Sequence, residues 1–169
     1  LLSKKAKRGA RMSTTTFNRD LIYSRNDSDV TSWSVERMAV VAGRVLFSLI
    51  FIVSGFGHFS SQTVAYASQM GLGGASFFVP LSGLLIIAGG LSVAFGYYAR
   101  WGAAAIIVFL IPTTFIMHRF WGIDDPLMAM NQQSHFMKNL TMIGGALLIT
   151  YFGAGPVSLD SRRQNLTLR

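Results

Sequence analysis

The sequence predicts an all-α integral membrane protein, an antiparallel four-helix bundle, and three observations predict it. Of 169 residues, 51% are hydrophobic and only 13% charged. Four apolar stretches are long enough to cross a bilayer core of roughly 30 Å, which takes about 17–25 helical residues. The cations gather in the two tails and at one corner between stretches, leaving the middle nearly uncharged. No stretch has the even alternation of barrel strands. The 17 glycines follow no three-residue period, which excludes collagen, and the chain is too apolar for disorder. A formal charge of +8 on a soluble chain would point to nucleic acid, but cations gathered mostly in tails do not, and no nucleic-acid partner is expected. Cysteine is absent, excluding disulfide scaffolds, thiol redox chemistry, Cys-ligated zinc and conventional iron–sulfur centres.

Residues 1–37 read as a basic, Ser/Thr-rich tail carrying Lys4, Lys5, Lys7, Arg8, Arg11, Arg19, Arg25 and Arg37. It is expected to be solvated and to touch anionic lipid head groups, with a partner-binding arm as the alternative. Its opening on Leu1 leaves processing, truncation and a start at Met12 all open. The membrane domain covers 38–156. Its first span runs over about 38–58 and its second over about 77–98, with Pro80 in a tolerated early turn. The third, about 101–118, follows the Ala99-Arg100 corner, and the fourth, about 135–153, stops at Gly153-Ala154-Gly155-Pro156. The run Gly71-Leu72-Gly73-Gly74 reads as a flexible turn in the first outer loop. Residues 157–169 form a second basic tail.

An even number of spans puts both termini on one side. That side holds the tail cations and Arg100, whereas the other has Arg119 and Lys138 set against Asp124 and Asp125. By the positive-inside rule both termini are cytoplasmic. Trp33, Trp101, Trp121, Tyr97 and Tyr98 fall near span ends, as interfacial aromatics do.

Lipid gives apolar helices little reason to associate, so small residues are expected to bring backbones close. Ala88, Ser92 and Gly96 recur every four residues as one small stripe, with Gly83 and Gly90 on a neighbouring one, and Gly144-Gly145 notches the fourth span. Pro112 withholds an N–H from the carbonyl of Val108, which Thr113, Thr114 or a neighbouring helix is expected to satisfy.

Polar residues in this setting need reasons. Arg44 lies inside the first span, at about 2.5–3.5 kcal/mol on insertion scales at mid-membrane. It either snorkels to head groups or holds a carboxylate, carbonyl or lipid phosphate internally. At the opposite level, His58, His118 and His135 converge from distant parts of the chain, near Arg119, Asp124 and Asp125. Lys138, in the first turn of the predicted fourth span, faces the positive end of the helix dipole and wants an acceptor such as Asp124 or Asp125. Three readings remain open. One is a metal site of the three histidines and an Asp, which no i,i+4 histidine pair supports. Another is a site for a polar-headed lipophile such as a quinone, with His118, Lys138 and Asn139 as donors and Phe120, Trp121 and Phe136 as walls. The third is an interfacial hydrogen-bonded network that only fixes loop against helix.

These residues resemble the DoxX family of small four-span bacterial membrane proteins. The resemblance rests on Gly43-Arg44-Val45-Leu46-Phe47 leading to Ser54-Gly55-Phe56-Gly57-His58-Phe59, on Gly89-Gly90-Leu91 ahead of Gly96, and on Arg100-Trp101-Gly102-Ala103. It continues in Ile111-Pro112-Thr113-Thr114-Phe115, His118-Arg119-Phe120-Trp121, Phe136-Met137-Lys138-Asn139-Leu140, Gly144-Gly145-Ala146-Leu147-Leu148 and Gly153 to Asp160. It covers about Arg37 to Asp160 and marks Arg44, His118, Lys138 and Asn139, with Gly90 and Gly145 as packing positions. Many members carry an acid before the glycine pair of the second span, where this chain has Ile86. With no Asp or Glu in the four predicted spans, neither a proton relay nor an internal ion pair for Arg44 is expected.

The resemblance implies an accessory or anchoring subunit of a membrane oxidoreductase assembly in the bacterial inner membrane, more a partner than a catalyst on its own. Expected partners are membrane lipids and other membrane-complex subunits. No intrinsic cofactor is expected; the ligand would be a quinone or a bound lipid at the outer face. The alternative is a purely structural subunit with no ligand.

Overall fold

Local caps set where two of the helices start, and two helices fall outside the apolar stretches. The computed structural model describes residues 27–167, which form six helices and no strand. In order these are α1 (Asp27–Gly57), α2 (Ser61–Gln69), α3 (Ala75–Phe95), α4 (Ala99–Met117), α5 (Pro126–Phe152) and α6 (Leu159–Thr167). The chain divides into two units, Leu1–Glu36 and Arg37–Arg169. Of the first, the described part is the opening of α1, exposed at Ser34, Val35 and Glu36. The cations from Lys4 to Arg25 lie outside the described residues. All packing below belongs to the second unit.

Several boundaries depart from the sequence reading. The outer loop expected after the first span contains α2, whose N-cap Ser60 accepts from the Thr63 N–H at 3.2 Å. The fourth helix begins at Pro126 rather than 135, because Asp125 caps it, accepting from the N–H groups of Leu127 and Met128 at 2.8 and 3.0 Å. Proline at the first helical position is preorganised for that role. The second span ends at Phe95, with Gly96 as a left-handed C-cap at φ 64°, rather than running to 98. The C-terminal tail contains α6.

Among the described residues, three helical segments are long and apolar enough to cross a membrane: Ser34–Gly57, Ala75–Phe95 and Ala99–Met117. The sequence reading expects four. In α5 the first half carries Asn131, Gln132, Gln133, His135, Lys138 and Asn139, and the apolar part, Leu140–Phe152, falls short of the about 17–25 residues a span takes. Outward faces carry large apolar side chains such as Leu46, Val53, Leu84 and Val108, as lipid-facing helices do.

The buried centre is Phe51 of α1, Ile86 and Val93 of α3, Ala103, Ile106 and Leu110 of α4, and Ala146 of α5. Glycines bring the backbones close around it. A Cβ on Gly83 would lie 2.9 Å from the Gly55 carbonyl oxygen, joining α3 to α1. One on Gly89 would lie 2.9 Å from the Gly102 carbonyl oxygen, joining α3 to α4. Gly90 packs on Ile52 and Gly145 on the Phe47 ring. Of the expected Ala88–Ser92–Gly96 stripe, Ala88 is exposed, Ser92 packs on Gly102 of α4 and donates to the Tyr97 carbonyl at 2.7 Å, and Gly96 is the cap. Gly144 faces open space.

Arg44 is 6% exposed and does not snorkel. Its guanidinium donates to the carbonyl of Ala154 and, at 2.7 Å, to that of Val157. Both acceptors sit in the irregular segment after α5, which Gly153 and Gly155 open with φ of 80° and 78°. Just beyond, Asp160 accepts from the N–H groups of Tyr98 and Ala99 at 2.8 and 3.1 Å, while its own N–H donates to the Gly96 carbonyl at 2.8 Å. It thereby caps α4, whose own N-cap residue, Tyr98, makes no side-chain cap bond. The buried cation and this acid fasten three helices at one end, the arginine end; the histidines lie at the other.

Two outcomes follow for thermal unfolding in detergent. Gly83→Val should lower stability by about 1–3 kcal/mol through overpacking against the Gly55 backbone, whereas Gly144→Ala should be neutral or slightly stabilising. Arg44→Met should cost about 1.5–3 kcal/mol for each charged hydrogen bond lost, and Arg44→Lys should recover only part, since a single ammonium does not reproduce the fork.

Candidate functional site

At the histidine end a cleft of about 820 Å³ opens between α2, α3 and α4, within the range of small-molecule sites. Its existence depends on α2. Ala67 of that short helix is buried against Ala75 and Val79 at the start of α3, with Met117 at the end of α4 packed on them. The walls are apolar: Phe78, Leu81, Leu85, Val108, Phe109 and Ile116 among others. The polar lining comes from Thr63, Tyr66, Ser82, Thr113 and two imidazoles, His58 and His118.

Hydrogen bonds fix how those imidazoles present themselves. The Ser82 hydroxyl gives its proton to the Val79 carbonyl at 2.7 Å. Its oxygen is therefore the acceptor for His58, whose Nδ1 lies 2.8 Å away. On the other wall, His118 Nδ1 lies 2.9 Å from Gln132 Oε1, an oxygen that only accepts, and Gln132 Nε2 donates to the Tyr66 hydroxyl at 3.1 Å. Both rings thus use their N–H at Nδ1, and each neutral ring keeps its acceptor lone pair on Nε2. Pro112 lines the same cleft together with Val108, the residue whose carbonyl it denies an N–H. Thr114, expected as a substitute donor, bonds the Leu110 carbonyl instead at 2.6 Å.

The other predicted site residues separate into neighbouring groups. His135 stacks on His118 with centroids 5.0 Å apart, and the Lys138 ammonium donates to His135 Nδ1 at 3.1 Å. His58 lines the cleft without joining that pair. No group of three or more His, Asp or Glu among the described residues is placed to hold a metal. Phe120, Trp121 and Phe136 come together with Phe115 as an edge-to-face cluster, outside the cleft lining. Asn139 is 5% exposed with its Nδ2 unpartnered, and neither it nor Lys138 lines the cleft.

Asp124 and Arg119 are exposed. Asp125 serves as the cap of α5 rather than as an acceptor for Lys138. Because α5 starts at Pro126, Lys138 lies well beyond its first turn, and the expected conflict with the helix dipole is absent. Arg44 sits at the far end and takes no part here. Sequence reasoning passed over Ser82 and Tyr66, since neutral polar residues in helices carry no charge signal, and it placed Gln132 at this end without giving it a role.

The DoxX family model matches residues 39–119 of this chain. The chain is also similar to inner membrane protein YqjF of Escherichia coli (strain K12). The two are 34% identical over 130 residues, which is 75% of this chain and 92% of that protein. No solved structure matches.

The cap and its neighbour give a direct comparison. Asp125→Ala should cost about 0.5–2 kcal/mol and speed amide exchange at Leu127 and Met128, whereas Asp124→Ala should stay within about 0.5 kcal/mol. Thermal unfolding and residue-resolved hydrogen exchange read both.

Proposed function

The chain belongs to the DoxX family of membrane proteins, and from that premise we propose that it is an inner-membrane accessory subunit whose outer-face cleft holds a lipophilic ring with a polar head, of the quinone class. The observation that carries this is the cleft itself: apolar walls for a ring and tail, with two oriented imidazoles and the Tyr66 hydroxyl at its polar part. Neutral rings that offer acceptors select a ligand with hydroxyl donors. The reduced, quinol form therefore suits this cleft better than the oxidised one. Tyr66 and Gln132 hold His118 in that tautomer, and Ser82 holds His58.

The topology that goes with this reading is four spans in an antiparallel bundle with both termini cytoplasmic. The apolar half of α5 completes the fourth span, and its polar half, with His135 and Lys138, stands in the interface where charged side chains are tolerated. The relative named as an inner membrane protein supports the location, and the tail cations support the orientation. Since the chain has no cysteine, electrons would pass between the bound ring and a partner subunit that carries the redox centre.

Titration of the purified full chain with an alkylated benzoquinol should show saturable binding, and His118→Phe should weaken it about tenfold, the worth of one buried hydrogen bond. The corresponding benzoquinone should bind several-fold less tightly. Absence of saturable binding would leave a structural subunit, and equal affinity in the His118→Phe protein, with its fold intact by circular dichroism, would put the ligand outside this cleft.

A further inference from the structure

The arginine end carries a second cleft, of about 630 Å³, between the α3–α4 corner and the segment that leads into α6. Nothing in the reading above uses it. Its hydrogen-bond inventory is one-sided. Along the segment, the carbonyls of Ala154 and Val157 accept from buried Arg44. The carbonyls of Gly155 and Pro156 accept from the hydroxyls of Ser158 and Ser161, at 2.8 and 2.7 Å. Across the cleft, the carbonyls of Tyr97 and Tyr98 accept from Ser92 at 2.7 and 3.1 Å, and the Asp160 carboxylate is engaged by two backbone N–H groups. Each of these acceptors is therefore engaged.

What the cleft offers is positive charge. Arg100 lines it, and its guanidinium has no hydrogen-bond acceptor among the described residues. Arg163 lies over the Tyr98 ring, 5.0 Å from the centroid, and donates to the Tyr98 hydroxyl. These two exposed cations, with Arg44 behind the segment, outweigh the single carboxylate of Asp160. Guanidinium forks match phosphate oxygens in pairs. The rim adds a second preference, because Trp101 and Phe152 are 76% and 70% exposed beside the arginines. An exposed indole next to cations at a helix end is how an interfacial anchor is built.

We infer that this cleft binds a phosphate group and that its source is the head of an anionic phospholipid, with the acyl chains lying along Trp101 and Phe152. The inference does not depend on the histidine cleft or its ligand. Native mass spectrometry of the full chain, extracted in mild detergent and exchanged with defined lipids, tests it. Phosphatidylglycerol should be retained over phosphatidylcholine, and Arg100→Gln with Arg163→Gln should lower its retention by about tenfold or more, at about a factor of five per arginine. Arg119→Gln, at the opposite end, should change nothing. Should the double variant fail to fold, Arg100→Gln alone carries the test, with about a fivefold loss expected. Wild-type retention in the folded variants overturns the site. Equal retention of the two lipids, or displacement of phosphatidylglycerol by inorganic phosphate at matched concentration, overturns the lipid as its source.

Discussion

A cation within an apolar helix must find acceptors, and in this protein the acceptors are backbone. Arg44 makes no hydrogen bond to a carboxylate among the described residues; the position ahead of the Gly89-Gly90 pair is held by Ile86, which is fully buried. The guanidinium reaches instead for two carbonyls in a stretch of chain that is not helical. Irregular backbone packed against buried side chains is tolerated only where something satisfies its freed groups. Arg44 and the segment from Gly153 to Ser158 therefore require each other: the arginine would be an uncompensated charge without those carbonyls, and the carbonyls would be orphans without the arginine.

That mutual requirement organises the arginine end. The segment is placed so that Asp160 falls on the bare N-terminus of α4, where a negative charge both accepts the first N–H groups and opposes the positive helix end. Gly96 lies where these parts meet, and a Cβ there would come within 2.6 Å of the arginine nitrogen. The same bonds that close this end also engage its one carboxylate, which is why the cleft beside it is left with an excess of positive charge.

Much of this was legible in the sequence, and the remainder was hidden for physical reasons. The apolar stretches announced α1, α3 and α4, because a membrane imposes length and hydropathy together. They announced only the second half of α5, since its first half is polar and starts on a local signal, Asp125-Pro126, that hydropathy ignores. Helix α2 was hidden likewise behind the cap of Ser60. Arg44 was flagged by its cost, but its partners could not be, because a carbonyl belongs to every residue and has no letter of its own. Among the histidines, nearness in level was readable and nearness in space was not. His118 and His135 stack because α4 and α5 pack, while His58 is held across the cleft by Ser82, a residue with no feature to mark it.

The cleft at the histidine end follows from the closure at the other. Helices α3 and α4 are joined by a tight corner at Gly96 and touch backbone to backbone at Gly89 and Gly102, both in the half nearest that corner. Towards the histidines no such glycine pair recurs between them, and Pro112 interrupts the hydrogen-bond ladder of α4. Helix α2 then packs across the far ends of both, through Ala67 on Ala75 and Val79 with Met117 beside them. Two helices held close at one end and spanned by a third at the other must enclose a space between. Its walls are the apolar residues that two lipid-adapted helices already present, and polarity comes from His58 and His118, where α1 and α4 end, and from Thr63, Tyr66, Ser82 and Thr113. A ligand that satisfies the cleft has to be oily along most of its length and hydrogen-bonding at one end, whatever its identity.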